Sequence, residues 1–155
     1  MFKTASIALL MVCAFGVAAC GDDDGDEGGT SAAESNEPIL IKTRLDIPTG
    51  KALAGSTIGK SPFCQGGTFR DKHGSEDPSV PPYGLVDRTF RCPDGTLRIG
   101  FTPGEPRGRT QTGPWSIAGG TGAFKGLRGA GEMKVTFEPG SDTKGRETFT
   151  GTITR

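Results

Sequence analysis

Apolar and polar residues alternate with a period of two along much of this chain, and no 3.6-residue apolar stripe is sustained anywhere. Ile39, Ile41, Leu45 and Ile47 alternate with Leu40, Lys42, Arg44 and Asp46. Met133, Val135 and Phe137 alternate with Lys134, Thr136 and Glu138, and Phe149, Gly151 and Ile153 with Thr148, Thr150, Thr152 and Thr154. Successive side chains of a strand point to opposite faces, so each run reads as a strand with one buried face. Turn residues supply the joints. "CPDGT", residues 92–96, suits a type I turn followed by a glycine, and it links "VDRTFRC" to "LRIGF", where Leu97, Ile99 and Phe101 share a face. "TPGEPRGRT" and "EPGSDTKGRE" are further hairpin connections. Eight strands are expected, near residues 39–47, 52–58, 63–70, 85–92, 96–102, 110–118, 130–138 and 146–154. Antiparallel strands at this spacing make an all-β sandwich or a closed barrel, and eight strands can close around an interior filled by side chains.

Residues 113–133, "GPWSIAGGTGAFKGLRGAGEM", narrow that choice. Gly119, Gly120, Gly122, Phe124, Gly126, Gly129 and Gly131 form a G-T-G-x-F turn and a G-x-x-G-x-G run. This resembles the signature of the allene oxide cyclase barrel-like superfamily, which includes the plant dirigent proteins. The resemblance implies an antiparallel closed barrel of about eight strands, with Phe124 plugging one end. It also implies an apolar small molecule in the barrel and, in some members, cyclisation or radical coupling. Catalytic residues do not carry over, because outside the glycine-rich run no residue-level match exists. As a dinucleotide fingerprint the same glycines fail, since their spacing is G-x-G-x-x-x-G and no helix follows.

The N-terminus reads as an export signal. Lys3 supplies the positive region, residues 7–17 the apolar region, and Ala18 and Ala19 the small residues before a cleavage point. The apolar run is short of the roughly 20 residues a membrane-spanning helix needs. Residues 17–20, "VAAC", resemble the lipobox of bacterial lipoproteins, which implies that Cys20 is lipidated and becomes the first mature residue. Two acyl chains anchor stably where one is marginal. The expected location is the extracytoplasmic face of a bacterial membrane. Residues 20–37 follow with seven acids, no bases and almost nothing apolar, an extended acidic tether. The chain therefore divides into a signal (1–19), a tether (20–37) and one domain (38–155).

The formal charge is zero, yet it is unevenly placed. Seven of the 18 acids lie in the tether and one of the 18 bases in the signal, which leaves the domain with 11 acids and 17 bases. Such a surface could meet nucleic acid, anionic lipid or wall polymers. The bases are scattered, with no Lys/Arg run and no aromatic stacking motif, so a solvated surface with mild attraction to anions is the preferred reading and no nucleic acid is expected.

Two motifs tempt chemistry and fail on context. Ala54, Gly59, Lys60 and Ser61 fit a permissive P-loop, which must join a buried strand to a helix facing the phosphates. Pro62, Gly66 and Gly67 follow instead, and an alternating pattern makes this strand and loop. His73 sits in "RDKHGSEDP", which reads as a polar loop, and a Ser75–His73–Asp71 or Asp77 relay within it lacks a nucleophile elbow. With Cys13 in the signal and Cys20 lipidated, export makes a Cys64–Cys92 disulfide the default. Two thiols and one His are too few for a zinc site, so no metal or cofactor is expected. Trp115 and Tyr83 are the most ligand-like side chains, although Trp115 shares a face with Ile117 and reads as core. Few polar residues fall on the inward parity of the clear strands, which argues against an acid–base site. The sequence therefore points to a non-catalytic binding or envelope-interaction module. An isomerase or cyclase acting on an apolar substrate is the rival, favoured if polar side chains converge inside the barrel.

Overall fold

The computed structural model describes residues 36–73 and 84–155. Ten strands form one antiparallel sheet: β1 (Glu37–Asp46), β2 (Thr49–Ala52), β3 (Thr57–Ile58), β4 (Ser61–Pro62), β5 (Thr68–His73), β6 (Val86–Cys92), β7 (Gly95–Phe101), β8 (Thr110–Gly120), β9 (Arg128–Phe137) and β10 (Lys144–Thr154). The sheet closes because β1 pairs with β10 along its whole length, from Glu37 opposite Ile153 to Asp46 opposite Lys144. Eight strands make the wall, in the order β1-β2-β5-β6-β7-β8-β9-β10. The short β3–β4 hairpin pairs with Ile39 and Leu40 beyond the reach of β2. The fold is an all-β closed barrel of eight antiparallel strands.

Period-2 alternation does what it implied. Ile39, Ile41 and Leu45 of β1, Leu97, Ile99 and Phe101 of β7, Met133 and Val135 of β9, and Phe149 and Ile153 of β10 all point inward and are buried. Phe63, Phe69, Phe90 and Phe124 extend this core through edge-to-face and tilted ring contacts at 5.4–5.6 Å.

The expected strands at 52–58 and 63–70 are misplaced. Ile47–Pro48 turns the chain at once, so β2 occupies Thr49–Ala52. Residues 53–56 then form a turn, because Ser56 bonds to local backbone: its hydroxyl meets Leu53 O at 2.8 Å and receives the Lys42 N–H at 2.9 Å. Local side-chain bonds of this kind compete with a ladder. Gly59 and Lys60 form the tight turn of the β3–β4 hairpin, with Gly59 at φ 57°, so no helix follows the P-loop-like residues. His73 ends β5 rather than lying in a loop.

The glycine-rich run joins β8 to β9. Gly119 and Gly120 end β8, Gly122–Phe124 is a short 3-10 turn, Gly126 follows at φ 80°, and Gly129 and Gly131 lie in β9. Gly122 has φ 58°, and a Cβ there would lie 2.1 Å from the Asp94 carbonyl oxygen. The turn packs on the β6–β7 hairpin too closely for any side chain at that point. Phe124 is buried and meets the Phe63 ring edge-to-face at 5.6 Å.

Candidate functional site

The inward face contradicts the expectation of few polar residues. Thr43, Asp71, Arg88 and Glu147 all point into the barrel and are buried. Asp71 and Arg88 are cross-strand neighbours on β5 and β6, and Thr43 and Glu147 are neighbours on β1 and β10. β6 and β10 stand four places apart in an eight-strand wall, so they face each other across the axis. Arg88 spans that distance. Its Nε and Nη2 donate to the two Asp71 oxygens at 2.7 Å each. Its Nη1 donates to Glu147 Oε2 on the opposite wall, and the Thr43 hydroxyl donates to the same oxygen at 2.7 Å.

Aromatic faces complete the enclosure. The guanidinium carbon lies 3.8 Å from the Phe69 ring centre, 5.1 Å from Phe101 and 5.4 Å from Phe149. A guanidinium is weakly hydrated and stacks well, so it tolerates this environment better than an ammonium would. Burial by itself would lower the Arg88 pKa. The charges and hydrogen bonds of Glu147 and Asp71 outweigh that and hold it above its ordinary value. Arg88 thus stays a fixed cation at every physiological pH.

What can this arrangement do chemically? Two carboxylates converge on one point, as a general acid–base site requires. Yet each is already engaged: Asp71 holds Arg88 in a two-pronged pair, and Glu147 accepts from Arg88 and Thr43. Among the described residues, no buried side-chain nitrogen or oxygen lacks a hydrogen-bond partner. The cluster is satisfied by itself and aims nothing at a substrate. It is a strut tying opposite walls.

Trp115 lies in the core at 2% exposure, edge-on to Phe149 at 6.3 Å. Its indole N–H donates to Thr150 O at 3.0 Å, so its polar handle is already taken. Gly131 stands opposite both Trp115 and Gly151, and a Cβ on Gly131 would come within 1.9 Å of Thr150 O. These glycines let β8, β9 and β10 close tightly beneath the indole.

Cys64 and Cys92 form a disulfide, fastening the loop after β4 to the end of β6. Cys64 is the one non-glycine with positive φ among the described residues, at 51°. The lipidation candidate Cys20 and the aromatic Tyr83 lie outside the described residues. The ion cluster was missed because a charged residue within an alternating strand looks like a solvent position. The available signal was parity: Val86, Arg88 and Phe90 share one face of β6, which puts Arg88 between two core residues. No family model, curated protein or solved structure matches this chain.

Proposed function

We propose that this chain is a lipid-anchored extracytoplasmic barrel of the allene oxide cyclase and dirigent-like kind, serving as a non-catalytic binding or envelope-interaction module. Cys20 in "VAAC" would carry the anchor on a bacterial membrane, and the acidic residues 21–37 would be the leash. The Cys64–Cys92 disulfide supports an oxidising compartment. The glycine-rich run between β8 and β9 supports the superfamily resemblance.

One observation carries the non-catalytic reading. Thr43, Asp71, Arg88 and Glu147 bond to one another inside the barrel, and buried aromatic and aliphatic side chains pack around them. A partner is then met at the outer surface rather than in the lumen. The rival isomerase or cyclase has one feature in its favour, the convergence of Asp71, Arg88 and Glu147. It would need that cluster to open.

Native mass spectrometry of the mature protein from its host tests the reading. The expected mass is that of a chain starting at Cys20 with a diacylglyceryl adduct and no further apolar ligand. An unmodified Cys20 refutes the anchor. A stoichiometric apolar ligand retained by the barrel refutes the outer-surface reading and restores the cyclase-like one.

A further inference from the structure

Five cations share one groove of about 860 Å³ on the outside of the barrel: Arg44, Lys51, Arg70, Arg91 and Lys144. All five are exposed. Register explains the gathering. Arg44 stands opposite Lys51, Lys51 opposite Thr68, and Thr68 opposite Arg91 on successive strands. Neighbouring strands lie about 4.8 Å apart, well inside the Debye length of about 8 Å at physiological salt. Like charges directly opposite one another destabilise a sheet, and closing the barrel does not require them. Two acids line the groove, and they serve only part of it: Glu138 meets Arg44 at 3.6 Å and Asp46 meets Lys144 at 3.9 Å. Lys51, Arg70 and Arg91 take part in no ion pair among the described residues.

We propose that this groove binds a linear phosphodiester polymer without bases, a chain of polyol phosphates, along the outer wall of the barrel. Three of the five cations are arginines, whose planar forks match phosphate oxygens in pairs. At about 860 Å³ the groove is far larger than one phosphate, as a polymer rather than a single ion requires. Among the described residues the one aromatic lining it, Phe69, is only 3% exposed, so they offer the bases of a single-stranded nucleic acid no stacking platform. A flat lipid surface would touch the rims of the groove and leave its floor empty. The proposal goes beyond the anchored-module reading and holds whether or not Cys20 is lipidated.

The test is fluorescence anisotropy with a labelled poly(glycerol phosphate) oligomer and the full-length mature chain, between about 50 and 200 mM salt. With roughly 0.7 counterions released per contact, five cations give a log–log salt slope of about −3.5. The triple variant Lys51→Gln/Arg70→Gln/Arg91→Gln should show a slope near −1.4 and bind about 100-fold more weakly around 0.1 M salt. Its thermal midpoint should match or exceed that of the wild type, because repelling neighbours are gone. Lys134→Gln, an exposed lysine of β9 outside the groove, should change affinity less than twofold. Should the triple variant not fold, Arg91→Gln alone must lower the slope by about 0.7. The proposal is overturned by a slope that the groove variants leave unchanged, or by equal weakening in Lys134→Gln. It is equally overturned if a base-bearing oligonucleotide of the same length binds as tightly, or if only phosphatidylglycerol vesicles bind.

Discussion

Replacing Arg88 by Met keeps most of the side-chain volume, removes the only cation in the barrel interior among the described residues, and strands two carboxylates. Breaking a buried ion pair by removing one partner costs about 3–5 kcal/mol. Here one guanidinium serves both Asp71 and Glu147, and its stacking on Phe69 at 3.8 Å is worth up to about 2 kcal/mol when desolvated. The Met thioether recovers part of the aromatic contact, so a net loss of about 4 kcal/mol is expected at neutral pH. Small domains hold about 5–15 kcal/mol in all, so the variant should still fold, with a midpoint lowered by roughly 10–20 °C. Its pH response carries the sharper signature. Buried carboxylates without a cation neutralise by binding protons, so the variant should regain stability as the pH falls from 7 to 5. In the wild type, Glu147 and Asp71 hold the Arg88 pKa above its ordinary value despite burial, so its contribution is complete throughout the acidic and neutral range and is lost only at strongly alkaline pH. Arg88 therefore adds no pH dependence to the wild type in that window. Urea unfolding followed by Trp115, the single tryptophan and a buried one, reads both quantities. A loss under about 1 kcal/mol, or a pH response parallel to the wild type, would refute the strut.

The full apolar replacement Thr43→Val/Asp71→Leu/Arg88→Met/Glu147→Leu removes every partner together and should be neutral or stabilising by about 1–4 kcal/mol in the same urea assay. A loss comparable to that of Arg88→Met alone would contradict this. Gly122→Val places a branched side chain at φ 58° against the Asp94 carbonyl and should cost more than the roughly 1–2 kcal/mol of left-handed strain alone. Lys60→Ala alters only an exposed hairpin turn and should stay within about 0.5 kcal/mol. Thermal melts side by side decide, and a tolerant Gly122 with a sensitive Lys60 and stabilisation by ATP would revive the P-loop. Reducing Cys64–Cys92, 28 residues apart, should cost about 3–4 kcal/mol by the chain-entropy model. Free-thiol labelling at both positions of the oxidised protein would remove its basis. Gly131→Ala should lose about 1–3 kcal/mol through overpacking against Thr150, read as a lower melting midpoint.

Strands β1 and β6–β10 were legible along the chain because their cause is local: a period of two sets the face, and Pro93–Asp94 or the Gly122 turn sets the joint. The Cys64–Cys92 pairing followed from elimination. The segment from Pro48 to Gly67 was not legible, since Ser56 and the tight turns at Pro48 and Gly59 break up a run that alternates well enough for longer strands. Closure belongs to tertiary structure, because pairing β1 with β10 joins the two ends of the domain, Glu37 with Ile153 and Asp46 with Lys144, and no local pattern encodes that register. So do the two collections of charge. Arg88 and Arg91 lie three residues apart on one strand with opposite parity, and only the closed wall sends the first to carboxylates across the axis and the second into a row of cations outside. A side chain's periodicity says which face it takes; what waits on that face is decided by the strands that the barrel brings around.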